Sequence, residues 1–361
     1  DLHLARRAPP ADPGWDYHPG ATSASSSFVR ARELCMALSD IVMIELRRGN
    51  LAAAHQGLLD LAALCRLHED GWTLVNQMIR TAILGLTTQA YWEALQAPGW
   101  SDTQLAELQQ ALERIDVLGK MPRTLEVERA NHLVFLDQLR GGGSSAAGGP
   151  QPAVARPSPL GRLILVFWRS SWGAREHLIC LQCWQRQIER ERALAAGTPW
   201  VRLPAMPVPR NDRYSRLLAR VSLRGFIWSL APNLTRADEV VLRNETGRRL
   251  AIVAIALERY RLRHGQYPET LDALTPEFLG ELPPDPADGQ PLRYRVRADA
   301  SPLLYGLGPD GADGGGAWSS WSSAVDVGWP APVGPREPQT DGPARAAGAV
   351  DGPSRPMIPR R

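Results

Sequence analysis

The segment LLYGLGPDGADGGG, from Leu303 to Gly316, carries the residues of this chain that are best suited to metal chemistry. Asp310 and Asp313 lie in it among glycines, and Asp326 follows in the sequence AVDVGW. Calcium is bound by roughly six to eight oxygen atoms from carboxylates and backbone carbonyls. Glycines let a loop turn several carbonyls inward without side-chain clashes. The spacing is therefore compatible with a calcium loop.

A turn with solvated aspartates is the ordinary alternative for this segment. The segment is not an EF-hand, because the D-x-[DN]-x-[DN]-G spacing and the terminal glutamate are missing. From spacing alone a turn is the default interpretation, and a calcium site is the more specific hypothesis.

A second set of metal-binding residue types lies in the sequence HLICLQCW, where His177, Cys180 and Cys183 follow one another at intervals of three. On a helix, two or three of these side chains could point together. Structural zinc requires four donors, and the chain has no second CxxC and no HxxxH. Burial of the thiols beside Trp184 is therefore the favoured interpretation.

Motifs for nucleophilic catalysis are missing from the sequence. There is no G-x-S-x-G, no P-loop and no G-x-G-x-x-G opening a helix. An enzymatic alternative, a hydrolase or transferase with its pocket in the helical part, would require His68, Glu69, Asp70 and His132 to converge in one cleft.

Composition limits the function classes. The 361 residues are 44% apolar and 22% charged, with a net charge of +3. Arginines are interleaved with acidic residues, so nucleic-acid binding has little support. No apolar run reaches the roughly 18 residues that a membrane helix needs, so we expect membrane contact only through an anchor upstream of Asp1.

Helical periodicity dominates the elements that must position these residues. It begins at about Ser27, stops at Gly49-Asn50, and resumes over 51–65, 71–97, 102–117 and 122–140, with Ser101 as a predicted N-cap. The pattern predicts the following organisation: an extended arm over 1–26, a helical domain over 27–140, a flexible linker over 141–159, a helical segment continuing the body over 160–236, an α+β module over 237–329 and a disordered tail over 330–361.

The α+β module begins with a long predicted helix from about Ala237 to Arg263. A turn at Gly265, a short helix near 269–275 and two strands at 291–297 and 302–307 follow. The fold class predicted from these patterns is mainly α, a helical bundle or helical-hairpin body with a small C-terminal module.

The module also resembles a known family, the C-terminal globular part of the major pseudopilin of type II secretion. The resemblance lies in ALERYRLRHGQYPETLDALTPEFLGELPPDPADGQPLRYRV, PLLYGLGPDGADGGG and AVDVG, and covers about 90 residues. The positions that carry it are Tyr260, Gly265, Tyr267, Pro268, Leu271, Leu274, Asp285, Pro286, Gly289, Tyr294, Gly308, Asp310, Gly311 and Asp326.

The resemblance implies a calcium ion in the final loop. Asp310 and Asp326 would be its carboxylate ligands, Asp313 a third, and carbonyls near Leu307 would complete the shell. The chain departs from the family because a helical body of roughly 240 residues stands where an apolar N-terminal helix would be. It is similar to large bacterial proteins that carry a pseudopilin-like tail on a helical, membrane-anchored body.

Together these observations favour a non-enzymatic structural or protein-interaction protein at the periplasmic side of the bacterial cell envelope, near secretion or pilus-like machinery. We expect protein partners, and neither nucleic acid nor a small-molecule substrate. Besides the enzymatic alternative, a cytoplasmic α-solenoid adaptor stays open. The sequence RRGNLAAAHQGLLDLAALCRL is similar to one helix–turn–helix unit of a tetratricopeptide-type repeat, but no second copy follows at the 34-residue period, so a plain helical bundle is favoured.

Overall fold

The computed structural model describes residues 25–67, 69–139, 173–204, 234–316 and 326–329. Its helices are α1 (Ser25–Arg47), α2 (Leu51–Leu67), α3 (Leu74–Leu95), α4 (Asp102–Glu113), α5 (Met121–Leu139), α6 (Gly173–Ala195) and α7 (Leu234–His264), with 3₁₀ turns at Leu118–Lys120, Trp200–Arg202 and Leu271–Leu274. The strands are β1 (Arg293–Val296), β2 (Pro302–Gly306) and β3 (Val327–Trp329).

The mainly helical fold class is confirmed, and so are the helices predicted between 27 and 140. Gly49 adopts a left-handed φ of 72° where α1 gives way to α2. Ser101 caps α4 and forms a full capping box with Gln104. The predicted arm, linker and tail fall wholly or mostly outside the described residues, and so does the stretch 205–233 of the predicted helical segment.

The C-terminal module contains a small antiparallel sheet in the order β1-β2-β3. The two predicted strands form its hairpin, with Tyr294 opposite Leu304 and Val296 opposite Pro302. The short helix predicted near 269–275 is a 3₁₀ turn. Strand β3 was not predicted, and it pairs with β2 so that Trp329 lies opposite Leu304.

Helix α7 positions the module against the rest of the chain. Every residue from Leu250 to Leu257 is buried, with exposed fractions between 0% and 5%. The helix packs against α3 and α4, and also against β2 and β3. A helix that is apolar around its whole circumference must be covered on all sides. Leu108 of α4 and Leu304 of β2 accordingly belong to the same hydrophobic core.

Polar contacts reinforce the junction between α4 and the module. Arg259 Nε of α7 donates to Asp102 Oδ1 at 2.7 Å, and its Nη1 donates to Gln109 Oε1 at 3.1 Å. Gln109 Nε2 in turn donates to the carbonyl of Phe278 at 2.9 Å. These bonds satisfy groups at the edge of the apolar interface, so the interface does not leave them buried and unpaired.

None of the described helices combines the length and the apolarity needed to cross a bilayer.

Candidate functional site: the glycine-rich loop and two carboxylate clusters

The glycine-rich loop over 307–316 packs against the face of the sheet that carries Leu303 and Tyr305. A Cβ at Gly316 would lie 3.0 Å from Tyr305 Cδ1 and 3.2 Å from Leu303 Cδ1, and the backbone there has a φ of +79°. Both the close approach and the left-handed backbone require glycine at this position. The glycines therefore allow the loop to cover strand β2.

Asp326 closes this loop. Its side chain is 1% exposed, and it precedes β3 directly. Its Oδ1 accepts a hydrogen bond from the backbone N–H of Gly314 at 3.3 Å, and its Oδ2 accepts one from Gly316 at 2.8 Å. A buried carboxylate is stabilised when N–H groups of this kind replace water. Asp326 thus joins the loop to the strand that follows it.

The other predicted ligands make separate contacts. Asp313 Oδ1 accepts hydrogen bonds from the Tyr305 hydroxyl at 3.1 Å and from the Gly315 N–H at 2.8 Å. Asp310 is exposed, and its Oδ1 accepts the N–H of Ala312 at 3.3 Å. Both are local turn contacts typical of aspartate.

In the described structure the predicted calcium ligands accept hydrogen bonds from their own loop. Within the described ranges, no three His, Cys, Asp or Glu side chains form a group that could hold a metal. The three carboxylates receive backbone N–H groups, whereas calcium would require their oxygens to face a common centre. Binding would need the side chains of Asp310 and Asp313 to turn away from their own loop, so calcium stays a prediction.

Asp285 anchors the start of the loop. Its side chain is fully buried, and its Oδ2 accepts the N–H of Leu307 at 2.7 Å and Nη1 of Arg293 at 2.6 Å. Its Oδ1 accepts the N–H of Ala287 at 2.9 Å. Burial raises the pKa of Asp285, and these donors oppose the rise. Arg293 also forms an ion pair with Asp288. The carboxylate thereby fixes Leu307, where the predicted calcium shell was expected.

Among the cysteine and histidine candidates, Cys180 contacts His132. Cys180 Sγ lies 3.5 Å from His132 Nε2, and the His132 ring packs edge-on against Trp184 with 5.9 Å between centroids. Burial lowers the pKa of His132 and raises that of Cys183. A raised thiol pKa disfavours the nucleophilic thiolate. The contacts are those of packed side chains beside Trp184.

Three of the four residues of the enzymatic alternative lie in the described part of the chain, and each has contacts there. Glu69 Oε1 and Asp70 Oδ1 lie 3.2 Å and 3.4 Å from Lys120 Nζ. His132 packs against α6 as described above. His68 lies outside the described residues. These contacts place the acidic residues in an ion-pair network with Lys120.

A second carboxylate cluster, which the sequence analysis missed, lies between α6 and α7. Glu191 and Asp238 are 1% and 2% exposed. Gln187 Nε2 donates to Asp238 Oδ2 at 2.6 Å and to Glu191 Oε1 at 3.4 Å. Arg190 Nε lies 3.9 Å from Asp238 Oδ2, too far for a hydrogen bond.

Burial is the main cause of the unusual titration of this pair. It raises the pKa of Asp238 to about 6, and it raises that of Glu191 well above the ordinary glutamate value, with the neighbouring carboxylate adding to the effect. The two side chains are 47 positions apart and share no motif. They meet only where α6 passes the start of α7, through the hydrogen bonds of Gln187.

Comparisons with protein-family models, with curated proteins and with solved structures found no match for this chain.

Loss of the Asp326 contacts should destabilise the module. We expect Asp326→Asn to lower the free energy of unfolding by about 1–3 kcal/mol, because the buried amide cannot accept both N–H groups as a carboxylate does. Thermal unfolding in the presence of a chelator measures this effect. Asp310→Asn, at an exposed site with one weak contact, is the matched control and should change little.

The same thermal unfolding tests the calcium hypothesis. A ligand that binds only the folded state raises the midpoint. The calcium prediction therefore expects a midpoint several degrees higher in calcium than in chelator for the wild-type protein, and loss of that difference in Asp310→Ala. Equal midpoints in the two conditions would reject calcium binding at this loop.

The Glu191–Asp238 pair should make stability depend on pH. Since the folded-state pKa values are raised, the folded protein retains protons that the unfolded chain releases, and stability falls as the pH rises from about 4 through about 6. We expect Glu191→Gln to reduce this fall, because the glutamine has no proton to release. Urea unfolding between pH 4 and pH 8 measures it.

Glu189→Gln is the control for that experiment, because Glu189 is exposed on the same helix and bonds to Gln185. It should leave the pH profile unchanged. A profile of Glu191→Gln that parallels the wild type would show that the pair does not hold a proton in the folded state.

Proposed function

We propose that this chain is a non-enzymatic structural or protein-interaction protein of the bacterial cell envelope, with a C-terminal module of pseudopilin type. The observation that carries the proposal is the construction of the module on α7. The helix leads directly into the 3₁₀ turn, the hairpin and the glycine-rich loop, in the order that the resemblance implies. The helical body of the chain would hold the module in a fixed position, where partner proteins can bind it.

Several residues that carry the resemblance support the proposal because they form turns and contacts within the module. Gly265, Gly289 and Gly311 have φ values of 80°, 76° and 68°, which only glycine adopts without strain. Tyr294 donates its hydroxyl hydrogen to the carbonyl of Pro268 at 2.8 Å. Motif positions that maintain a fold in this way favour a shared architecture over a chance match.

The covering of α7 by the helical body favours a fixed component over a filament subunit. The helix packs on α3 and α4 as well as on the sheet, so the same chain covers its two apolar sides. A subunit that assembles through this helix would need one of those sides free. Support for an envelope location comes from the resemblance alone, and fold-level analogy of this kind has to be tested.

Labelling in cells tests the proposed location. Asp299 lies exposed in the hairpin turn, and Cys35, Cys65 and Cys180 are buried. We expect Asp299→Cys in a Cys183→Ser background to react with a membrane-impermeant maleimide in cells whose outer membrane alone is permeabilised. The matched control is Cys183→Ser without the new cysteine.

Labelling of Asp299→Cys only after cell lysis would place the module in the cytoplasm. That outcome would contradict the envelope role and favour the adaptor alternative. The measurement should be made on the full gene product in its own bacterium, so that any segment outside the present sequence is retained.

A further inference from the structure

Strand β1 is an edge strand with backbone groups that β2 does not use. In an antiparallel pair, hydrogen-bonded and non-hydrogen-bonded residue pairs alternate. The N–H of Arg297 donates to the carbonyl of Ser301 at 2.8 Å, which sets the alternation for the pairs Arg295–Leu303 and Arg293–Tyr305. The N–H and C=O groups of Tyr294 and Val296 therefore point away from β2, toward the open edge.

The outward backbone groups of this edge have no backbone partner elsewhere in the described part of the chain. Val296 is 39% exposed, and the residues that follow it up to Ala300 are exposed as well. An edge with a row of unpaired N–H and C=O groups is a template for a further strand. The chain directly before β1 is paired by the antiparallel bridge between Pro284 and Pro291. The part of the edge available to an extended chain therefore runs from Tyr294 to Val296.

Arginines occupy one face of this strand. Arg293, Arg295 and Arg297 alternate with Tyr294 and Val296, so they share a face because side chains in a strand point alternately to opposite sides. Asp285 and Asp288 hold Arg293. Arg295 and Arg297 are exposed beyond it. A strand added at the edge would place its own alternate side chains beside these two cations.

We propose that the open edge of β1 binds an extended acidic peptide segment of a partner protein, which adds a fourth strand to the sheet. Backbone hydrogen bonds to Tyr294 and Val296 would supply the pairing. Acidic residues at alternate positions of the partner would face Arg295 and Arg297, and so would select it. In recognition by strand addition, backbone hydrogen bonds supply the affinity and side-chain contacts supply the specificity.

Charge repulsion disfavours a second copy of this chain as the strand that pairs with β1. An antiparallel pair of two β1 strands would place arginines next to arginines on the same face, whatever the register. Like charges directly opposite one another destabilise a strand pair, and opposite charges stabilise it. The same arginines that admit an acidic segment therefore oppose self-association at this edge.

The edge is held in position before any partner arrives. The hydroxyl and the N–H of Ser301 both donate to Asp299 Oδ1, at 2.6 Å and 3.0 Å, which fixes the hairpin turn. Tyr294 is tied to Pro268 through its hydroxyl. A rigid template loses little conformational freedom on binding, and this lowers the cost of association.

This inference deepens the proposed interaction role and rests on it. The test uses a fluorescent peptide of alternating valine and glutamate and a matched peptide of alternating valine and lysine, with binding to the purified chain measured by fluorescence anisotropy. We expect the acidic peptide to bind at least tenfold more tightly than the basic one. The double variant Arg295→Glu/Arg297→Glu should invert this preference.

Backbone pairing is tested separately from charge. Val296→Pro removes the outward N–H and keeps both arginines, and Val296→Thr is its matched control, with the N–H and the β-branched shape retained. We expect Val296→Pro to weaken the acidic peptide at least fivefold and Val296→Thr to change it little. Circular-dichroism melting checks that each variant folds.

Equal binding of both peptides, or binding that responds to the arginines and not to Val296→Pro, would overturn strand addition. Either result, combined with periplasmic labelling at Asp299→Cys, would remove the edge assignment and leave the envelope role in place. Cytoplasmic labelling with intact peptide binding would reject the envelope role and keep the edge as a binding site.

Discussion

Burial of the middle of α7 on every side is the constraint on which the rest of the described structure depends. The run from Leu250 to Leu257 has no polar side chain, and it is covered by α3 and α4 as well as by β2 and β3. Burying apolar surface contributes about 25 cal/mol per Å². Neither the helices nor the short sheet could be removed without exposing part of this run. The helical body and the C-terminal module therefore stabilise one another.

Buried carboxylates add hydrogen bonds that stabilise the small sheet and its loop. Its three strands are three to five residues long, and a sheet of this size has few ladder hydrogen bonds of its own. Asp285 and Asp326 add charge-assisted bonds from carboxylates to backbone N–H groups at the two ends of the glycine-rich loop. These bonds fix the loop over β2.

The sequence predicted the parts of this structure that follow from local periodicity and local turn chemistry. The 3.6-residue spacing located α1 to α5, and Ser101 followed by Gln104 located a helix start. The hairpin followed from two short strands of suitable residue types. Strand β3 was missed because three residues are too few to show an alternation, and its pairing depends on β2 alone.

Predictions about the carboxylates were weaker for a physical reason. A sequence shows which residues carry oxygen donors, but the choice between a cation and backbone N–H groups depends on where the backbone turns. Asp326 is directed to Gly314 and Gly316 by the path of the loop over Tyr305 and Leu303. The Glu191–Asp238 pair depends in the same way on how two distant helices pack.

Hydrogen exchange at residues 250–257 tests the shared core most directly. Leu108→Ala removes a buried side chain from α4, and Leu304→Ala removes one from β2. Each should cost about 2–5 kcal/mol, and we expect each to accelerate amide exchange along the whole run. Val75→Ala, at a side chain that is 57% exposed, should not. Acceleration by Leu108→Ala with no effect of Leu304→Ala would show that the sheet does not share the core, and it would contradict the account.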